Sequence, residues 1–264
     1  MNVDFTDKVV LVTGASAGIG ESTALLFAAL GAKLSLVGRN EGNLRAVAAA
    51  CHKLRGLQPL AIVADLGTDE GVERTAKETL DHYGRVDVLV NNAAIGALTF
   101  LQQLDMKTFD EVFRIDVRGV YHLTGLLVPA LIQSKGNIVN ISSIVATMVN
   151  VGTLPYSMAK AALDHFTRIV ALELAPKGVR VNAVSPGITV SNFMTRMTNQ
   201  SEEQYREWLA QVSKNVPMGE PCLGDDIAKM VAHLASDHSR LVTGAIVEVD
   251  GGLRFTPISR PIPD

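Results

Sequence analysis

The feature that most constrains this chain is the regular exchange of two hydrophobic patterns along it. Short runs dense in Val, Ile and Leu lie at 8–12, 33–37, 60–64, 86–91, 137–141, 179–184 and 246–249. Between most of them stand longer stretches, at 19–30, 43–54, 69–82, 106–132 and 156–174. In the longer stretches apolar residues recur every three or four positions, as Phe109, Val112, Phe113, Val117 and Val120 do, and this is the helix period. The short runs are apolar without alternation. A strand of that kind is covered on both faces, which is how parallel sheets are built. The repetition predicts a doubly wound α/β domain, with helices on both sides of a central parallel sheet of about seven strands. The 264 residues show no internal repeat and no linker-like break, so one domain is expected across 1–264.

Composition removes several function classes. Lys+Arg is 24 and Asp+Glu is 27, a net charge of −3 without the basic stripe that nucleic acid would need. Cys51 and Cys222 sit in no C-x-x-C or Cys/His cluster, and the six histidines lack metal spacing. Neither a disulfide framework nor a bound metal is expected, and a reducing, cytoplasmic setting fits. The opening MNVDFTDK has early aspartates and no apolar run, unlike a signal peptide. No run reaches about 18 consecutive apolar residues, so no membrane span is expected.

Two segments break the rhythm. Residues 188–218 are far longer than an ordinary strand-to-helix connection, and such insertions commonly act as lids. Residues 253–264 hold three prolines without periodicity and read as a loose tail.

The first strand is followed at 13–20 by TGASAGIG, which brings Gly14, Ser16, Gly18, Ile19 and Gly20 to the start of a helix. Glycines let the backbone approach a pyrophosphate, and the helix N-terminus favours its charge. Further along stand Asp65-Leu66, NNAA at 91–94, Ser143, Tyr156 four residues before Lys160, Asn182, and Pro186-Gly187. In this order, from about residue 5 to 252, the chain resembles the compact single-domain short-chain dehydrogenases/reductases. The resemblance implies a Rossmann-type three-layer sandwich, a nicotinamide cofactor and hydride transfer. It also implies cofactor contacts from Asp65, Leu66, Asn92, Ala93, Pro186, Gly187 and Ile188, with Asp65 at the adenine and Ile188 at the nicotinamide carboxamide. A helix-capping role is the other reading of Asp65.

The second strand ends in Gly38-Arg39 rather than in a carboxylate. A carboxylate there would take the ribose hydroxyls and repel a 2′-phosphate, whereas an arginine offers a planar fork of donors. NADPH/NADP+ is therefore expected in preference to NADH.

Tyr156 and Lys160, one helical turn apart, face the same way. A free phenol titrates near 10, and the Lys160 ammonium is expected to lower that value and make Tyr156 a general acid or base. By resemblance, Lys160 also holds the nicotinamide ribose and Ser143 donates to the substrate oxygen. No His/Asp pair of hydrolase type accompanies Ser143, so polarisation rather than nucleophilic attack is expected.

Two positions depart from the family. Ala94 stands where glycine is usual, and is strained if its φ is positive. Asp116 stands where an asparagine is usual. It is either solvated or paired with Arg114 or Arg118, or else it lies near Lys160, where it would oppose formation of tyrosinate.

Phe193, Met194, Met197, Tyr205, Trp208 and Leu209 from the lid, with Ile144, Val145, Met148, Val149 and Val151, point to an apolar, adaptable pocket. The expected substrate is a lipophilic carbonyl compound or secondary alcohol, such as a steroid, isoprenoid, quinone or xenobiotic ketone. A 3-oxoacyl-thioester reductase is the alternative enzyme. A non-catalytic NADPH-binding sensor or scaffold is the alternative of another class. The apolar helices 106–132 and 156–174 imply, by resemblance, a homodimer or homotetramer.

Overall fold

The computed structural model describes residues 3–198 and 200–256. Seven strands form one parallel sheet: β1 (Val9–Thr13), β2 (Lys33–Gly38), β3 (Leu60–Val63), β4 (Val88–Asn91), β5 (Asn137–Ile141), β6 (Arg180–Pro186) and β7 (Ile246–Val249). Their order is β3-β2-β1-β4-β5-β6-β7. The chain steps outward from β1 to β3, then returns to pair β4 on the other side of β1. That reversal opens a crevice beyond the carboxyl ends of β1 and β4, where ligands bind in sheets of this kind.

Alternation along β1 shows why both faces are covered. Val10 and Val12 point into one core, against α1 (Gly18–Ala29), α2 (Glu41–Arg55) and α9 (Gly224–Ala235). Leu11 points into the other, against α3 (Asp69–Tyr83), α5 (Val120–Ser134) and α6 (Leu154–Leu174). Phe27 of α1 is fully buried and meets Phe5 edge-on at 4.7 Å. Truncating a buried ring of this kind costs about 3–5 kcal/mol, a large share of a domain's stability. Local chemistry sets the helix ends. The Asn40 and Thr68 side chains accept from the Asn43 and Gly71 N–H groups at 2.9 and 3.1 Å, and Gly56 and Gly84 close the same helices in left-handed conformation.

The structure amends two expectations and adds detail to a third. The stretch 106–132 is not one regular helix. α4 (Met106–Phe113) passes into a π-helical turn, Arg114–Gly119, before α5 continues. By length and composition Met106–Ser134 could cross a membrane, but here its inner face packs on α3 and α6 as a core helix. The 188–218 insertion holds two helices, α7 (Asn192–Thr198) and α8 (Glu202–Ser213), and a Ser201–Gln204 capping box starts α8. The tail is not loose at its beginning. Leu253 is buried with Ile144 and Val216, and only Phe255 of that short turn is largely exposed. The remainder of the expected tail, 257–264, lies outside the described residues.

Candidate active site

The turn between β1 and α1 is shaped to receive a group against its backbone. Gly14 adopts φ +65°, and a Cβ on Gly20 would fall 2.2 Å from the Gly14 carbonyl oxygen. At the start of α1, Ala17 offers no side-chain cap, so the first-turn N–H groups are left for a ligand. The turn is tied from behind. Thr13 Oγ1 accepts from the Asn92 and Ala93 N–H groups at 2.9 and 3.0 Å, and Asn92 Nδ2 donates to the carbonyls of Thr13 and Gly14 at 2.8 and 3.2 Å. Asn92 thus serves the cradle by fixing it. Ser16, Gly18 and Ile19 line the same cleft.

Asp65 lines the cleft as well, and its Oδ1 accepts from Gly67 N–H at 2.9 Å. Thr68, not Asp65, caps α3 with its side chain. Leu66 is buried beside it. At the far end of β6, Pro186, Gly187 and Ile188 form another wall. The Ile188 carbonyl accepts from Cys222 N–H at 2.9 Å. A Cβ on Gly187 would meet Asp250 at 2.7 Å, so this turn is packed close. Asn182 is buried inside β6 and pins β7, donating to Val242 and accepting from Ala245. Ala94 is not among the non-glycine residues with positive φ, so it carries no backbone strain.

Ser143, Tyr156 and Lys160 converge on the crevice from the end of β5 and the first two turns of α6. Lys160 is 2% exposed, and its Nζ donates to the Ile141 carbonyl at 3.0 Å. The ammonium lies 5.4 Å from the centre of the Tyr156 ring. Ser143 is half-buried in the pocket wall, while Ser142 is buried beside Asp164 on the α6 side.

Asp116 decides the electrostatics of this group. The π-helical turn carries it inward, where it is completely buried. Its Oδ1 accepts from Ile95 N–H at 2.9 Å, and its Oδ2 stands 3.3 Å from Lys160 Nζ. The solvated and arginine-paired alternatives do not hold. Arg114 donates instead to the Gly67 carbonyl at 2.8 Å, and Arg118 pairs with Asp69 at 2.6 Å. Burial pushes the Asp116 carboxyl up, against the pull of Lys160 and of Ile95 N–H.

The lowering of Tyr156 expected from Lys160 is not found. Burial pushes the phenol above its ordinary range, the Asp116 charge pushes it the same way, and Ser143 alone opposes them. The ammonium that was expected to favour the phenolate faces a carboxylate of opposite sign. A tyrosine in this setting holds its proton and is a donor.

Comparison with known proteins agrees with this geometry. The family model described as enoyl-(acyl carrier protein) reductase matches residues 14–254. A 3-oxoacyl-[acyl-carrier-protein] reductase of Thermotoga maritima is 35% identical over 247 residues, 93% of this chain and 97% of that one. The chain belongs to the short-chain dehydrogenase/reductase family. Two solved members differ in cofactor. L-sorbose reductase from Gluconobacter frateurii, complexed with NADPH and L-sorbose, is 27% identical with a TM-score of 0.90, over 97% of this chain and all of that one. The 3-ketoacyl-(acyl-carrier-protein) reductase of Brucella melitensis, complexed with NADH, is 30% identical with a TM-score of 0.85, over 94% and 99%.

In this short-chain dehydrogenase/reductase the cleft encloses about 1000 Å³. Phe193, Met194, Met197, Trp208, Ile144, Val145 and Met148 line it as expected. Four residues of the expected pocket do not. Val149 is 89% exposed, and Val151 lines a separate small hollow. Tyr205 and Leu209 are not in the cleft wall. Tyr205 accepts from Ser191 N–H at 3.2 Å and stacks on Trp208. The wall is also less apolar than expected, because Asn150, Gln200, Gln211 and Asn215 stand in it. Oxygen atoms of Asn150 and Gln200 are buried without a partner among the described residues. No periodicity announces carboxamides scattered over a loop and the 188–218 insertion, so their convergence was not legible beforehand.

The residues present fit a nicotinamide dinucleotide. The glycine cradle would be filled by a Cβ, the α1 N-terminus is uncapped, and Arg39 has no ion-pair partner among the described residues.

Proposed function

We propose that this protein is an NADP(H)-dependent oxidoreductase that interconverts a carbonyl and a secondary alcohol, and that it works best as a carbonyl reductase. The observation that carries the reading is the convergence of half-buried Ser143 and Tyr156 with buried Lys160 in the cleft, with Asp116 behind them. The cradle of Gly14, Gly18 and Gly20 and the walls of Asp65, Leu66, Ala93 and Pro186–Ile188 would hold the cofactor, which supplies the hydride. Arg39 stands where β2 ends and would pair a 2′-phosphate. Ser143 Oγ–H donates to the substrate carbonyl oxygen and so orients and polarises it. Tyr156 Oη–H gives its proton to that same oxygen as negative charge develops there. Lys160 stabilises the resulting phenolate, and Asp116 limits that stabilisation, which keeps the proton on Tyr156 between turnovers.

The mixed lining favours a lipophilic substrate body bearing a hydrogen-bonding group, met by the free oxygens of Asn150 and Gln200. A second reading, reduction of a 3-oxoacyl thioester, draws on the names of the relatives. Exposed apolar residues on α5 and α6, among them Tyr121 at 69% and Leu172 at 80%, support assembly as a homodimer or homotetramer. Light scattering checks that assembly, and a monomer at micromolar concentration rejects it.

The function is tested by NADPH consumption with a diketone, a quinone, a 3-ketosteroid and an acetoacetyl thioester, with Tyr156→Phe alongside. Turnover of ketones that drops by about 10²–10⁴ in the variant supports the reductase. Turnover confined to the thioester selects the second reading. Unchanged turnover in Tyr156→Phe rejects the mechanism.

A further inference from the structure

Two arginines line one cleft. Arg39 follows β2 on the body of the protein, and Arg196 sits on α7, inside the lid. Neither guanidinium has a carboxylate partner among the described residues. Among the described residues Arg196 spends only its Nε–H, donating to the Asn192 carbonyl at 3.1 Å, and its outer fork has no partner there. Burial lowers the Arg196 guanidinium below its ordinary range, and the positive charge of Arg39 adds to that. Arg196 therefore lies within reach of the charge of Arg39 in the same cleft. Among the described residues Asp65 is the only carboxylate in the wall, against Arg39, Arg196 and Lys160. Like charges held together in a half-enclosed site repel, and an anion between them turns that repulsion into two charge-assisted contacts.

We infer that Arg196 and Arg39 together clamp the 2′-phosphate of the cofactor, so that this phosphate draws the lid onto the body. The inference rests on the NADP(H) reading and extends it, because it makes the phosphate a closing signal as well as an affinity group. The lid is built to answer as a unit. Ser191, at the start of α7, donates its N–H to Tyr205 Oη on α8, and Tyr205 stacks on Trp208 with ring centres 5.9 Å apart. Phe193, three residues before Arg196, lies 5.4 Å from the Tyr156 ring. An anion that draws in Arg196 therefore also settles Phe193 over the reacting end. NAD+ lacks the phosphate and would leave the two arginines repelling and the lid less closed.

The protein carries its own reporter, since Trp208 is its single tryptophan and lines the cleft. The test follows NADP+, NAD+, 2′,5′-ADP and 5′-ADP by calorimetry and by Trp208 fluorescence, on the full chain and on Arg196→Leu and Arg39→Leu. The expected result is a loss of about 10- to 100-fold in NADP+ and 2′,5′-ADP affinity in each variant. NAD+ and 5′-ADP should bind with little change. The fluorescence response to NADP+ should also vanish in Arg196→Leu at saturating ligand. Equal losses for all four ligands would place Arg196 on the adenosine 5′-phosphate that they share and overturn the clamp. Unchanged NADP+ binding in Arg196→Leu overturns it too. In that case selective loss in Arg39→Leu would leave the cofactor reading standing. If the unaltered protein prefers NAD+, the cofactor reading itself has failed.

Discussion

Replacing Asp116 with asparagine restores the residue usual in the family and removes one negative charge from behind Lys160. The effect on the fold is expected to be small. At 3.3 Å and an effective dielectric near 20, the pair attracts by about 5 kcal/mol. Burying the two ions costs several kcal/mol each, so the net contribution of the pair lies far below that figure. Asparagine can still accept from Ile95 N–H and face the ammonium. The effect on Tyr156 is larger in relative terms. Lys160 Nζ is 3.3 Å from the carboxylate and 5.4 Å from the tyrosine ring centre, so carboxylate and ring centre are no more than about 8.7 Å apart. One charge at that distance contributes about 2 kcal/mol, equivalent to about 1.4 pH units. The sign follows from which form acts. Reduction needs the protonated phenol, so its rate falls as pH rises through the tyrosine's pKa. Oxidation needs the phenolate, so its rate rises there. With Asp116 gone the phenolate is easier to form. The alkaline fall of kcat/KM for reduction should move down by about one pH unit or more, and alcohol oxidation near pH 7 should quicken about tenfold. The assay is a pair of pH profiles in the two directions, with cofactor affinity and Tm measured alongside. Superimposable profiles at equal cofactor affinity would refute the argument that Asp116 sets the proton affinity of Tyr156.

Other outcomes follow from the same geometry. Arg39→Leu should weaken NADPH by about 10- to 100-fold and leave NADH nearly unchanged, as read by cofactor fluorescence. Gly20→Ala would set a Cβ 2.2 Å from the Gly14 carbonyl oxygen, so both Tm and cofactor affinity should drop, with an overpacking cost of about 1–3 kcal/mol. Burial pushes the Cys51 thiol up to about 11 and raises Cys222 as well, so an aromatic disulfide reagent at pH 8 should label neither in the folded protein and both after denaturation. Asn150→Leu should raise KM for substrates carrying a distal hydroxyl and spare their deoxy analogues, and equal effects on both would remove Asn150 from recognition.

The sequence by itself determined the sheet, its flanking helices and the order of the functional groups along the chain. Those follow from local rules. Continuous Val/Ile/Leu runs bounded by turns read as interior strands, a three-to-four period reads as a helix with one buried face, and TGASAGIG needs a turn that a side chain would block. The Tyr156–Lys160 spacing fixes a shared face before any tertiary contact exists. Only the tertiary structure decided what those groups meet. Asp116 lies 40 positions from Tyr156, and its charge matters because a π-helical turn and the loop at Ile95 enclose it against Lys160. The direction of the Tyr156 shift depends on that enclosure, since a charge in water is screened and a charge in the interior is not. The same holds for Arg196, unremarked until the chain brings it into the same cleft as Arg39. Periodicity and spacing report what a residue does for its own element. Charge and hydrogen bonding in a site depend on which distant segments exclude water around it, and that is settled when the layers pack.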